Sequence, residues 1–206
     1  MKASISKSLF SNMENMNLKN EQFTQTSPAL TAAISSAFVT KAKNYALKCH
    51  TETNHKYDGK PYETHLQMVV DYACRYASLI DDDALEVVIA AAWTHDTIED
   101  CRQTYNHVKA ELGIQVAEIT YALTNEKGRT RKERANSIYY DGIRKTPFAA
   151  YVKLCDRLAN VKYSKDNGSS MIEAYQKEHN HFKAELSDAG FQPMWDELSE
   201  LLATRV

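Results

Sequence analysis

Chain breakers are scarce in this sequence. Six glycines and four prolines are spread over 206 residues, too few turn-formers for a protein built of many short strands. Long apolar runs are missing as well. None approaches the ~18–20 residues needed to span a bilayer as a helix. The first 20 residues, "MKASISKSLFSNMENMNLKN", lack the continuous apolar stretch of a secretory signal. They are rich in Asn, Ser and Lys, so residues 1–26 read as a loosely ordered extension ahead of a domain over 27–206. The four cysteines, Cys49, Cys74, Cys101 and Cys155, form no C-x-x-C pair. Each falls within or beside a helical pattern, which predicts reduced thiols in a cytoplasmic protein. Neither sign of charge dominates: 25 Lys and Arg stand against 27 Asp and Glu, a formal net charge of −2. That balance argues against non-specific nucleic-acid binding and leaves room for a local basic pocket for a small anion.

What remains is an ordinary soluble composition, 43% apolar and 25% charged, in a chain long enough for one sizeable core. The pattern is helical nearly throughout, with no convincing strand, and predicts an all-α fold. Ser27-Pro28 reads as a helix start with a capping Ser, and helical spacing then runs to about Cys49. "TETNHKYDGKPY" is a loop. Leu66, Val69, Val70, Ala73, Ala77 and Ile80 keep the period of a buried helix face. Asp81, Asp82 and Asp83 offer caps for the next helix. Thr104 caps a helix ending near Gly113, and "IQVAEITYALTN" forms another. Pro147 opens a helix through "FAAYVKLCDRLANVKYSK". Ser169 and Ser170 cap a long one ending near Gly190, and Pro193 starts the last.

One stretch departs from simple amphipathicity. "AAAWTHDTIEDC", Ala90 to Cys101, begins as a small apolar run and ends in His95, Asp96, Glu99 and Asp100. On a continuous helix these four would share one stripe. Three carboxylates so close, near a helix C-terminus, repel one another and oppose the helix dipole. A divalent cation would relieve both conflicts, and an imidazole beside a carboxylate is a common ligand pair. The plain alternative is a solvated acidic helix end. Two further segments favour the cation. His65, in "GKPYETH", stands just inside a helix after a Gly/Pro loop. Asp156, in "KLCDRLAN", sits among Val152, Leu154, Leu158 and Val161, where a charge needs a partner or a metal.

In order, these three segments resemble the HD superfamily of metal-dependent phosphohydrolases. The resemblance is strongest to the alarmone-hydrolase domain of RelA/SpoT homologues, in particular the stand-alone small alarmone hydrolases. That family reads G-x-P-Y-x-x-H, H-D-x-x-E-D and K-L-x-D-[RK]-x-x-N; this chain reads "GKPYETH", "HDTIED" and "KLCDRLAN". The resemblance implies a single all-α HD domain in which His65, His95, Asp96 and Asp156 ligate one divalent metal, usually manganese. It implies that Glu99 and Asp100 act on the attacking water and that Asn160 contacts the nucleoside. The implied reaction removes the 3′-pyrophosphate of guanosine tetra- or pentaphosphate. Lys56, Lys153 and the Arg129–Arg134 segment are candidates to offset phosphate charge, and Tyr163 or Tyr175 could stack on a base.

One departure bears on the substrate. Where the family carries a basic pair ahead of G-x-P-Y, this chain has His55 and Lys56. Histidine gives up the permanent two-pronged charge of arginine. An adenosine alarmone, another nucleotide, or nucleotide binding without turnover therefore stay open. Lowering the pH toward 6 is expected to protonate His55. His50 reads as a packing residue, and His107, His179 and His181 lack the spacing for a second metal.

Overall fold

The computed structural model describes residues 27–203; the proposed N-terminal extension over 1–26 lies outside the described residues. Helix α1 (Pro28–Ser35) starts as its sequence dictates, Ser27 Oγ accepting the Leu30 N–H. The expected continuous helix to Cys49 is interrupted. Ser36 adopts an extended conformation and caps a second helix, α2 (Ala37–Glu52), through Val39 N–H. A serine competes for backbone bonds that a helix interior would otherwise use.

The loop after α2 corrects the expectation of no strands. Lys56–Tyr57 (β1) and Lys60–Pro61 (β2) pair antiparallel around Asp58-Gly59. Asp58 and Gly59 both have positive φ, as a tight two-residue hairpin turn requires. Helix α3 (Glu63–Arg75) follows at once, then single 3₁₀ turns over Ala77–Leu79 and Asp82–Ala84. Helix α4 (Leu85–Thr94) is buried on nearly every side.

The later elements are a short α5 (Thr97–Asp100), α6 (Tyr105–Leu123), α7 (Arg131–Arg134), α8 (Ser137–Lys145), α9 (Ala149–Asp166), α10 (Met171–Leu186) and α11 (Gln192–Leu202). Thr104 caps α6 through His107 N–H, and Gly113, at φ 83, breaks it in two, as the sequence pattern predicts. Of the two serines expected to cap α10, Ser169 accepts from Met171 N–H, while Ser170, the residue at the cap position, makes no side-chain cap bond.

Helix α9 is the axis of the fold, packed against α3, α4, α10 and α11, while α4 packs on α2, α3 and α6. Tyr151 on α9 is fully buried and donates to Ala73 O on α3 at 2.7 Å. Glu197 on α11 accepts from Tyr72, Arg75 and Tyr76, joining the last helix to α3. The core runs without interruption from Leu30 on α1 to Leu202 on α11. Truncating a filled position such as Leu154 should cost about 2–5 kcal/mol. The consequence for function is geometric: α3, α4 and α9 are locked side by side, so side chains at their shared end are held to narrow positions. No helix among the described residues is long and apolar enough to cross a membrane.

Candidate functional site

His65 projects from the first turn of α3, His95 follows the last residue of α4, and Asp156 lies mid-way along α9. Their ligand atoms all fall within 4.8 Å of one another, and all three residues are buried. The two Nε2 atoms are 3.2 Å apart. Asp156 Oδ1 is 3.3 Å from His65 Nε2, and Asp96 Oδ2 is 3.5 Å from His65 Nε2 and 3.0 Å from His95 Nε2. The structure thus brings together all four residues expected to bind a metal.

The local backbone explains the convergence and corrects one expectation. The helix does not continue through "THDTIED". It ends at Thr94, turns through His95 and Asp96, and restarts as α5. Thr97 Oγ1 donates to Thr94 O at 2.8 Å and fastens the turn. The acidic residues therefore do not form one straight stripe. Asp96 meets the two histidines, whereas Glu99 is bound by Asn125.

The donor set fits a divalent cation. His95 Nδ1 must be a donor to Ala92 O at 2.9 Å, because a carbonyl only accepts. Once deprotonated, the ring presents the Nε2 lone pair to the cluster, the tautomer a metal needs; burial opposes charging it, but Asp96 and Asp156 raise its pKa. Two imidazoles and two carboxylates suit a borderline or hard divalent ion. The protonation pattern expresses the same excess of negative charge. Burial opposes charging His65, yet Asp156 and Asp96 raise its pKa to about 9. Burial likewise opposes ionising Asp156 and Asp96, but Lys153 and the histidines hold the first, and the histidines the second, below the usual carboxylate range.

Other groups brace the ligands. Lys153 Nζ donates to Asp156 Oδ2 at 2.9 Å and is itself largely enclosed. The cation expected to face a leaving group is thus already the partner of Asp156. Arg157, by contrast, points away to Glu178. Asn160 Nδ2 donates to Asp156 Oδ1, and Asn160 Oδ1 accepts from the Tyr57 hydroxyl at 2.9 Å. Tyr163 donates to Asp58 at 2.8 Å, accepts from Lys60 at 3.0 Å and sets its ring edge on Tyr57. These contacts tie the half-buried Tyr163 to the hairpin. Lys56 is exposed on β1.

The carboxylate pair is divided in character. Glu99 accepts from both the backbone and side-chain amides of Asn125, at 3.0–3.2 Å. Asp100 lies on the outer side, where burial, Asp96 and Glu99 raise its pKa to about 7. His55 Nδ1 is 3.8 Å from Asp100 Oδ2 and 3.1 Å from His50 Nδ1. Both imidazoles stack on Tyr62, with ring centroids 4.0 and 4.3 Å away. Burial lowers the pKa of His55, although Asp96 opposes the change. The expected protonation near pH 6 therefore moves to lower pH. His50 is buried packing, as expected.

Sequence reasoning missed Tyr62 and Asn125. Tyr62 donates to Asp96 Oδ2, and its place in the quoted "GKPYETH" was the available signal. Nothing in the sequence tied Asn125 to Glu99, 26 positions away. The basic segment is likewise less free than a solvated arm: Arg131 makes a two-pronged contact with Glu178, at 2.6 and 3.0 Å.

Over 129 residues the chain is 30% identical to the guanosine-3′,5′-bis(diphosphate) 3′-pyrophosphohydrolase MESH1 of Danio rerio, covering 62% of this chain and 69% of that protein. The human MESH1 is 30% identical over 59% of this chain and 66% of its own length. The guanosine-3′,5′-bis(diphosphate) 3′-pyrophosphohydrolase of Aquifex aeolicus is 34% identical over 60% of this chain but only 17% of that protein. A solved structure described as a metazoan ortholog of SpoT that hydrolyses ppGpp superposes with a TM-score of 0.64 and 21% identity, covering 81% of this chain and 94% of that one. That likeness carries the fold. The model of the HD domain family matches residues 42–189, a span that includes every ligand candidate above, and the chain belongs to the HD domain family.

Proposed function

We propose that this protein is a metal-dependent phosphohydrolase that removes the 3′-pyrophosphate of guanosine tetra- or pentaphosphate, giving GDP or GTP and pyrophosphate. The observation that carries the reading is the convergence of His65, His95, Asp96 and Asp156 beside the Glu99–Asp100 pair. The names of the relatives supply the substrate class.

In this reading the four converging side chains hold one divalent cation, manganese by family resemblance. When bound it would polarise a phosphoryl oxygen and acidify a nearby water. The chain's own residues do the rest. Glu99, fixed by Asn125, accepts the proton of the attacking water, and Asp100 positions that water or shares the proton. Lys153 and Asn160 keep Asp156 oriented. Lys56 and the exposed basic residues of the 129–134 segment offset charge on the departing pyrophosphate.

A second reading, hydrolysis of another nucleotide, rests on His55. This neutral ring stands where the family has a basic pair, so it does not supply the fixed charge that would grip a guanosine alarmone. One experiment separates these readings. Incubate the purified protein and Mn²⁺ with guanosine tetraphosphate, an adenosine counterpart and ordinary nucleotides, and score pyrophosphate against orthophosphate. Pyrophosphate release from the guanosine alarmone supports the leading reading. Orthophosphate release, or turnover only of other nucleotides, contradicts it.

A further inference from the structure

The two histidines of the cluster are held in different ways. His95 donates its second ring nitrogen to Ala92 O. His65 is as deeply buried, yet its Nδ1 has no hydrogen-bonding partner among the described residues. A metal-binding imidazole normally has that nitrogen tied to a carbonyl or carboxylate, which fixes the plane of the ring. At His65 an aromatic contact stands in its place. The Tyr57 ring lies 4.8 Å from the His65 ring, centroid to centroid, and within 19° of parallel. The same tyrosine reaches a second ligand through its hydroxyl. Tyr57 Oη donates to Asn160 Oδ1, and Asn160 Nδ2 donates to Asp156 Oδ1.

We infer that Tyr57 is a positioning residue for the metal centre. Its ring sets the plane of His65, and its hydroxyl holds Asp156 through Asn160. This rests on the metal-binding reading above. The hairpin gives Tyr57 the rigidity the role needs. Tyr57 pairs with Lys60 across β1 and β2, and the tip is pinned to α9 by Asp58–Tyr163 and Lys60–Tyr163. The Tyr163 and Tyr57 rings also meet in a T-shaped contact, with centroids 4.8 Å apart. A flexible loop could not hold one ring against another while keeping a hydroxyl in register with Asn160. The hairpin thereby couples to two ligands without contributing a ligand atom.

The test uses Co²⁺ as both ligand and spectroscopic probe, on the full chain. Its dissociation constant and visible absorption are measured for wild type, Tyr57→Phe, Tyr57→Leu, Asn160→Ala and the Tyr57→Phe/Asn160→Ala double variant. Tyr57→Leu should weaken Co²⁺ binding by about 10–100-fold, the usual cost of losing an outer partner of a ligand, and should alter the absorption bands. Tyr57→Phe keeps the ring and should lose less. Because the hydroxyl acts through Asn160, Tyr57→Phe should have no further effect in the Asn160→Ala background. A general loss of folding would instead lower the unfolding temperature and weaken binding equally in both backgrounds, and that result overturns the inference. So does wild-type affinity and spectrum in Tyr57→Leu. Failure of wild type itself to bind Co²⁺ overturns the metal reading on which the inference stands.

Discussion

The Nε2 atoms of His65 and His95 lie 3.2 Å apart, although the residues are 30 positions apart and belong to different helical segments. Two imidazole nitrogens meet at this distance when a proton or a cation sits between them and their carboxylates. The pKa of His65 says which, in the absence of metal. Asp156 and Asp96 overcome the effect of burial and lift it to about 9, so below that pH the ring carries a proton.

A cation must displace that proton. Metal affinity should therefore rise with pH toward about 9, and binding near pH 7.5 should release protons, His65 giving close to one and His95, whose pKa Asp96 and Asp156 also raise, adding to it. Calorimetry in buffers of differing ionisation enthalpy measures the release directly. A pH-independent affinity between pH 6 and 9 would contradict the assignment of His65 as a ligand.

Binding and chemistry should separate at Glu99. Its carboxylate is held by the backbone and side-chain amides of Asn125 and makes no hydrogen bond to the four ligand candidates among the described residues. Glu99→Gln should leave metal content nearly intact and reduce turnover by roughly 10²–10⁴-fold, the range for loss of a general base. Asn125→Ala should give a smaller fall in kcat with metal retained. Steady-state kinetics alongside elemental analysis is the check; wild-type turnover in Glu99→Gln sinks the proposed role.

The docked basic segment predicts a second acid-sensitive contact, outside the ligand cluster. Burial opposes ionisation of Glu178, but Arg131 and Arg157 bring its pKa down to about 2 from 4.5. The folded value is depressed, so the stabilisation is fully present above about pH 4.5 and is lost as pH falls toward 2. Glu178→Gln should cost about 1–2 kcal/mol at pH 6, after allowing for solvent screening, and much less near pH 2. Denaturant unfolding of both proteins at the two pH values tests this. An equal difference at both would show that the ion pairs contribute nothing.

The helical class, the caps at Ser27, Thr104 and Ser169, and the break at Gly113 were legible because each rests on local chemistry: a hydroxyl before a helix, or a residue that tolerates positive φ. The three ligand segments were legible as motifs. Two kinds of feature were not. The hairpin at Lys56–Pro61 has too few residues to show a two-residue period, and it exists because Tyr57, Asp58 and Lys60 find partners on α9. The partners of the site residues are set by packing between distant segments. Asn125 with Glu99, Tyr62 with Asp96 and Arg131 with Glu178 follow no sequence spacing. Helical spacing itself misled at His95 and Asp96, where Thr97 turns the backbone and sends neighbouring carboxylates to different places.

The most direct test of the account is the metal content of Asp156→Ala beside wild type, after purification and exposure to one equivalent of Mn²⁺ and removal of the excess. Asp156 supplies an oxygen 3.3 Å from His65 Nε2 and is the residue on which Lys153 and Asn160 both converge. Wild type should retain close to one equivalent and Asp156→Ala almost none, with both proteins still helical by circular dichroism. A full equivalent of tightly bound metal in folded Asp156→Ala would contradict the proposed metal centre.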